Sequence, residues 1–206
     1  MDGLRRRGQT TLVASLVASH GRTTPLVWHT VEKAALQGMR NETEDFVLQR
    51  LREVVPEHVR VVVLADRGFG DQKFYALLEQ LKFDYVVRFR QCIQVMDEKG
   101  EKRSAGEWVP DSGRALRLTQ ARVTQDEAPV PAVVCVKKRG MKEPWCLATS
   151  LKEATAAFVV GLWQEVPHGG DIPGREGPAV WDGPVLGQSA FHGTTGPTAA
   201  GECTRL

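Results

Sequence analysis

The chain has 206 residues, 42% of them hydrophobic, enough for one sizeable core or one domain carrying a small insertion. A formal net charge of +2 and a pI near 8.4 exclude a strongly basic protein, so any nucleic-acid contact has to come from local clusters. Cys92, Cys135, Cys146 and Cys203 show no C-x-x-C spacing, which argues against a zinc module and for a reduced, cytoplasmic protein whose thiols mostly fill core space.

Residues 5–19, "RRRGQTTLVASLVAS", have the order of an export signal, a charged run and then an apolar one. Thr10, Thr11, Ser15 and Ser19 interrupt the apolar run, and a second β-rich run, "TTPLVWHTV", follows. Residues 10–19 and 24–31 therefore read as two strands of a hairpin turning at His20, Gly21 and Arg22. No segment approaches the roughly 20 apolar residues of a membrane span.

Asn41 with Glu44 three residues on forms a capping-box pattern, and Phe46, Val47, Leu51 and Val54 recur at helical spacing until Pro56. The run from Val59 to Ala65 is short, β-branched and barely alternating, as in a strand buried on both faces. It ends on Asp66, in "VVVLADRGFGD". Asp71 is placed to cap a helix whose apolar stripe is Phe74, Leu77, Leu78 and Leu81. That leaves Asp66 without a capping duty, at a strand end where open α/β sheets gather ligands. "DYVVRFRQCIQV" returns as a strand, completing a crossover long enough for parallel pairing.

From about residue 93 to 143 short β-runs alternate with "DEKGEK" and "DEAPVP", the pattern of an inserted β-rich subdomain. "PWCLATS" reads as a strand and "LKEATAAFVVGLW" as the start of a helix without a stop signal. From Gly161 onward the character changes, for half of the 20 glycines and five of the 11 prolines lie there and no lysine follows Lys152. Such a segment is expected to be disordered.

In this order of elements, and in the wording "LADRGFGDQKFYALLEQLKFDYVVRFR" and "GMKEPWCLATS", the chain resembles bacterial insertion-sequence transposases of the DDE type, in the fourth insertion-sequence family. The likeness covers roughly residues 8 to 162. It implies an α/β fold with a ribonuclease-H-like mixed sheet, on which two aspartates and a glutamate hold two Mg2+ or Mn2+ ions for DNA cleavage and strand transfer. Two such ions clamp the attacking and leaving oxygens of an in-line phosphoryl displacement. By this likeness Asp66 is the second acid and a metal ligand. Arg67 then pairs with it or with phosphate, since a guanidinium stays protonated and makes a poor base.

The family's last helix carries tyrosine, two residues, arginine, three residues, glutamate, six residues and lysine, whereas this chain continues "LWQEVPHGGDIPGREGPAVWDGPVL". Read from the second base of the Leu162 codon, the permitted codons include YGKRFHMEETFRDAKDLQFGMGL, which holds that motif at its proper spacing. The expectation is a frameshift near codon 162, with Gly169 written over the glutamate and Glu176 over the lysine. The family's first aspartate belongs to a strand worded like DWTDFDAD, which Met1 to Arg7 lacks, although a one-base shift permits WTDFDA there. That strand is central in the family's sheet, so its loss is expected to leave unpaired edges and a weakened core.

The division expected is an aberrant segment 1–8, a partial catalytic domain 9–162, and a frameshifted tail 163–206. The expected partner is DNA, namely terminal inverted repeats and target, with self-association or pairing with an intact transposase, in the nucleoid of a bacterial cytoplasm. Arg67, Arg88, Arg90, Lys137, Lys138, Arg139 and Lys142 are the candidates for DNA contact, with a solvated face as the alternative for the cluster. Trp108 and Trp145 read as core residues, and His20, His29 and His58 show neither metal spacing nor a partnered nucleophile. A non-catalytic, DNA-binding or interfering fragment stands as the second reading, and a different metal-dependent phosphohydrolase using Asp66 as a third.

Overall fold

The computed structural model describes residues 9–17, 23–66, 72–164 and 185–191. Ten strands and three helices are present among them: β1 (Gln9–Val17), β2 (Thr23–Glu32), α1 (Lys33–Val54), β3 (Val62–Ala65), α2 (Gln72–Gln80), β4 (Asp84–Phe89), β5 (Gln94–Met96), β6 (Lys102–Ser104), β7 (Leu116–Val123), β8 (Ala128–Val136), β9 (Trp145–Thr149), α3 (Ala156–Gln164) and β10 (Val185–Phe191). The strands make one mixed sheet in the order β2-β1-β10-β3-β4-β9-β8-β7-β5-β6. The chain is therefore an α/β protein.

β1 and β2 form the expected antiparallel hairpin; the residues of its turn, 18–22, lie outside the described set. β3 and β4 run parallel, with Val62 beside Asp84 and Ala65 beside Val87, so the strand–helix–strand crossover is present. Every residue of β3 is buried, and its two faces go to different layers. Val61, Val63 and Ala65 join the core under α1 and α2, while Val62 and Leu64 join the one under α3. This two-sided burial explains why the run is apolar at consecutive positions instead of alternating.

α2 buries Phe74, Tyr75 and Leu78, with Leu77 and Leu81 packed at the margin. It closes through Phe83 N–H to Leu78 O and Lys82 N–H to Glu79 O, with Lys82 left-handed at φ 56° where glycine is the usual choice. Asp71, the expected cap, lies outside the described residues.

α1 spans Lys33–Val54 as two helices merged across a kink at Met39 (φ −120°, ψ 22°), so the second starts within two residues of Asn41, where a helix start was anticipated. The pattern that resembles a capping box thus sits just past a kink inside a longer helix. Glu44 accepts a 2.7 Å hydrogen bond from Arg40 Nε, and Thr43 Oγ1 donates to Met39 O at 2.9 Å. The face turned inward is Glu44, Val47, Leu48 and Leu51, whereas Phe46 and Val54 are exposed. Val47 and Leu51 of the anticipated stripe thus face inward, in an i, i+3, i+4, i+7 spacing with Glu44 and Leu48.

The strands of the β-rich stretch continue the main sheet. β8 pairs with β9 and β7 with β8, so these strands prolong the main sheet, and β5 and β6 close its far edge. The reading of "DYVVRFRQCIQV" as one strand divides into β4 and β5, separated by a turn in which Ile93 N–H bonds Arg90 O.

Two expectations about the ends of the domain change. Val185–Phe191, inside the tail read as disordered, form β10 between β1 and β3, antiparallel to the first and parallel to the second. The inner edges of β1 and β3 are consequently paired, where an absent first strand was expected to leave them bare. Backbone pairing on two sides compensates a sequence with little intrinsic strand preference. Residues 1–8, 165–184 and 192–206 lie outside the described set.

Candidate functional site

β3 brings Asp66 to the carboxyl end of a strand in the middle of the sheet. The backbone there cannot shift without disturbing both cores, since Leu64 and Ala65 are each essentially inaccessible. The Asp66 side chain itself is 54% exposed. A rigid strand thus delivers an open carboxylate, the arrangement a binding or catalytic acid needs and a core residue does not.

Ala65 is aligned with Val87, which sets Arg88 on β4 level with Asp66. Arg88 Nη1 lies 3.9 Å from Asp66 Oδ1, and its Nη2 donates a 3.0 Å hydrogen bond to Glu143 Oε2. The Arg88 side chain is only 12% exposed, whereas Glu143 is 48% exposed. One guanidinium therefore bridges two carboxylates that are distant in sequence. Glu143 comes from the turn between β8 and β9, and β9 pairs with β4 so that Arg88 faces Leu147 across the ladder.

Of the anticipated DNA-contacting residues, Arg88 is turned toward these two acids, leaving little of it to meet phosphate. Arg90 is exposed just after β4. Lys137, Lys138, Arg139 and Lys142 are all exposed on the β8–β9 turn that also carries Glu143. Arg67 lies outside the described residues. The sheet therefore assembles Asp66, Arg88 and Glu143, with a basic turn alongside.

A two-metal centre asks for converging oxygen ligands. Among the described residues no group of three or more His, Cys, Asp or Glu side chains is close enough to hold a metal ion. Among the described residues beside Asp66, Arg88 sets a fixed positive charge between that carboxylate and Glu143, which does not fit a divalent ion held by both acids.

The other reactive side chains serve the core. Cys135 and Cys146 are directly opposed on β8 and β9, fully buried and free, while Cys92 is disulfide-bonded, unlike the thiols expected of this chain. The hydrogen bond with Cys146, together with burial, pushes the Cys135 thiol up, so it stays protonated and is no nucleophile. Trp108 is buried and donates its Nε1–H to Val95 O at 3.2 Å, and Trp145 packs at the edge of the α3 core. His29 stacks at a tilt on Phe46, ring centroids 4.6 Å apart, and His58 is exposed. A mainly apolar hollow is lined, among the described residues, by Val13, Ser15, Thr23, Pro25 and Trp28, none of them ionisable.

Glu143 is the site residue that the sequence does not announce. It stands 55 residues from Arg88, and only the β4–β9 pairing joins them. No helix of the described residues is long and apolar enough to cross a membrane. No family model matches the chain, and no curated protein is similar to it.

Proposed function

We propose that this chain derives from a DDE-type DNA transposase and is itself catalytically defective. The observation that carries the reading is the position of Asp66, an open carboxylate held at the end of a doubly buried central strand within the wording "ADRGFGD". The parallel β3–β4 crossover through α2, with α1 and α2 on one face and α3 on the other, is compatible with a ribonuclease-H-like arrangement. Its partner on this reading is DNA, and the basic turn 137–142 is the surface offered to phosphates.

Loss of cleavage follows from charge. Concentrating divalent cations beside Asp66 requires further acids, and Arg88 opposes such ions through its own charge. The replacement of the family's motif after Leu162 by a different sequence supports the same reading.

The purified chain, incubated with magnesium or manganese and terminal-repeat DNA, is expected not to cut, whereas a frame-restored gene is expected to encode a cutting enzyme. Cleavage by the unrepaired chain, abolished by Asp66→Ala, would overturn the proposal. The exposed basic turn favours a second reading, a non-catalytic fragment that binds DNA or interferes with intact transposase.

A further inference from the structure

Cys135 and Cys146 are arranged in a way that core filling alone does not require. They are Cα partners on β8 and β9, both fully buried, and each has a further strand on its other side, with Cys135 beside Leu116 of β7 and Cys146 beside Phe89 of β4. Cys135 shares a side-chain hydrogen bond with Cys146, and Cys146 Sγ in turn donates to Ala105 O at 3.6 Å. The two sulfurs are therefore adjacent and already aligned. Directly opposed residues of an antiparallel pair lie about 4.5–5.5 Å apart at Cα, inside the roughly 4.4–6.8 Å that a disulfide spans. Only Val136↔Trp145 separates the pair from the end of the β8–β9 ladder, so local opening of that last pair gives a small molecule access to the sulfurs.

We propose that Cys135 and Cys146 form a dithiol site that a hydroperoxide oxidises to a cross-strand disulfide at the base of the basic turn. Cys146 reacts first. The hydrogen bond from Cys135 lowers the Cys146 pKa against the effect of burial, and the charge of Arg88 lowers it further. The Cys146 sulfur takes an oxygen from the hydroperoxide; the O–O bond breaks, and the alcohol leaves carrying the proton of the Cys146 thiol. Cys146 is then a sulfenic acid. In the reduced site Cys135 is held protonated by its hydrogen bond to Cys146, by burial and by the Cys146 charge, so oxidation of Cys146 removes the first and last of these causes. The Cys135 sulfur attacks Cys146 Sγ, the S–S bond forms, the S–O bond breaks, and hydroxide departs with the Cys135 proton as water. The two thiols give up two electrons and the peroxide accepts them. The closed loop contains Lys137, Lys138, Arg139, Lys142 and Glu143, so the sulfur pair fastens the strands that carry the basic cluster. This inference does not depend on descent from a transposase.

The test treats the full chain, its Cys92 disulfide intact, with hydrogen peroxide, blocks the remaining thiols and digests the protein without reduction. Cleavage after Lys137, Lys138, Arg139 and Lys142 separates the two cysteines, so their peptides stay together only through a new bond. A 135–146 bond within one polypeptide is expected. Both thiols still free, Cys146 oxidised without a bond to Cys135, or a bond between two polypeptides would overturn the proposal. Single variants test the order of events. Dimedone is expected to trap a sulfenic acid at Cys146 in Cys135→Ser and none at Cys135 in Cys146→Ser, and the reverse pattern would overturn the assigned roles. After oxidation of the unaltered chain, amides of residues 145–149 are expected to exchange at least about tenfold slower, since the bond holds the strands together when the ladder end opens. Unchanged exchange would overturn the claim that the disulfide fastens the turn.

Discussion

Replacing Tyr85 with phenylalanine should stabilise the protein. Tyr85 lies on β4 with its ring fully buried, 5.3 Å from the Tyr75 ring at a tilt of 38°. Its hydroxyl is buried and has no hydrogen-bond partner among the described residues. A buried donor left unsatisfied costs about 1–3 kcal/mol, and phenylalanine removes that cost while retaining the ring. The small gap left by the oxygen, on the order of 10 Å³, returns about 0.2 kcal/mol of it. The expected gain is therefore about 1 kcal/mol, or a Tm rise of about 2–4 °C for a chain of this size. The sign also depends on pH. Burial, with the charges of Glu79 and Asp84 adding to it, raises the Tyr85 pKa well above its ordinary value of 10.0. Between the unfolded and folded pKa values only the unfolded chain releases this proton, so the native tyrosine loses stability as pH rises above 10.0, by up to about 1.4 kcal/mol per pH unit. The advantage of Tyr85→Phe should accordingly be constant below that pH and grow above it. Urea unfolding of both proteins at pH 7.5 and at pH 10.5 measures this. A loss of about 1 kcal/mol or more in the variant at neutral pH would mean that the hydroxyl is satisfied in the native state, and would refute the reasoning.

Lys82→Gly should stabilise by about 0.5–1 kcal/mol in the same assay, because glycine meets no Cβ penalty at the left-handed end of α2; a destabilised variant would indicate that the lysine stem or charge matters more than the backbone. Arg88→Met keeps most of the buried stem but leaves Glu143 without its 3.0 Å hydrogen bond. Since both carboxylates are about half exposed, screening limits the coupling between Arg88→Met and Glu143→Gln in a double-mutant cycle to about 1 kcal/mol or less. A coupling several times larger would mean a drier site. Substituting serine for Lys137, Lys138, Arg139 and Lys142 together should flatten the dependence of log affinity for duplex DNA on log salt by about 3–4, if each meets one phosphate. An unchanged slope would assign the turn to a solvated face.

The local patterns that carried most information were those fixed by burial. The apolar run ending at Ala65 reads as a two-sided strand because both of its faces meet a core. The α2 stripe is legible because Phe74 and Leu78 recur on one side of a short helix. What failed to show was set by distant partners. Asn41 and Glu44 lie where the second helix starts after the Met39 kink, but the helix that begins at Lys33 has no side-chain cap at Glu32 to announce it. Nothing near Glu143 indicates that it will meet Arg88, and no composition rule foresees that a glycine-bearing heptapeptide in a proline-rich tail will be paired from both sides. The strands from Gln94 to Val136 are individually recognisable, but whether they form a unit of their own is decided by the β8–β9 ladder.

The most direct measurement of the central claim is a manganese titration of the intact chain, followed by electron paramagnetic resonance of the free ion and repeated on Asp66→Asn. Asp66, approached by Arg88 and lacking a converging set of acids among the described residues, is expected to bind no stoichiometric pair of ions, and the two proteins should titrate alike. Two manganese ions taken up per chain, with one or both lost in Asp66→Asn, would contradict it.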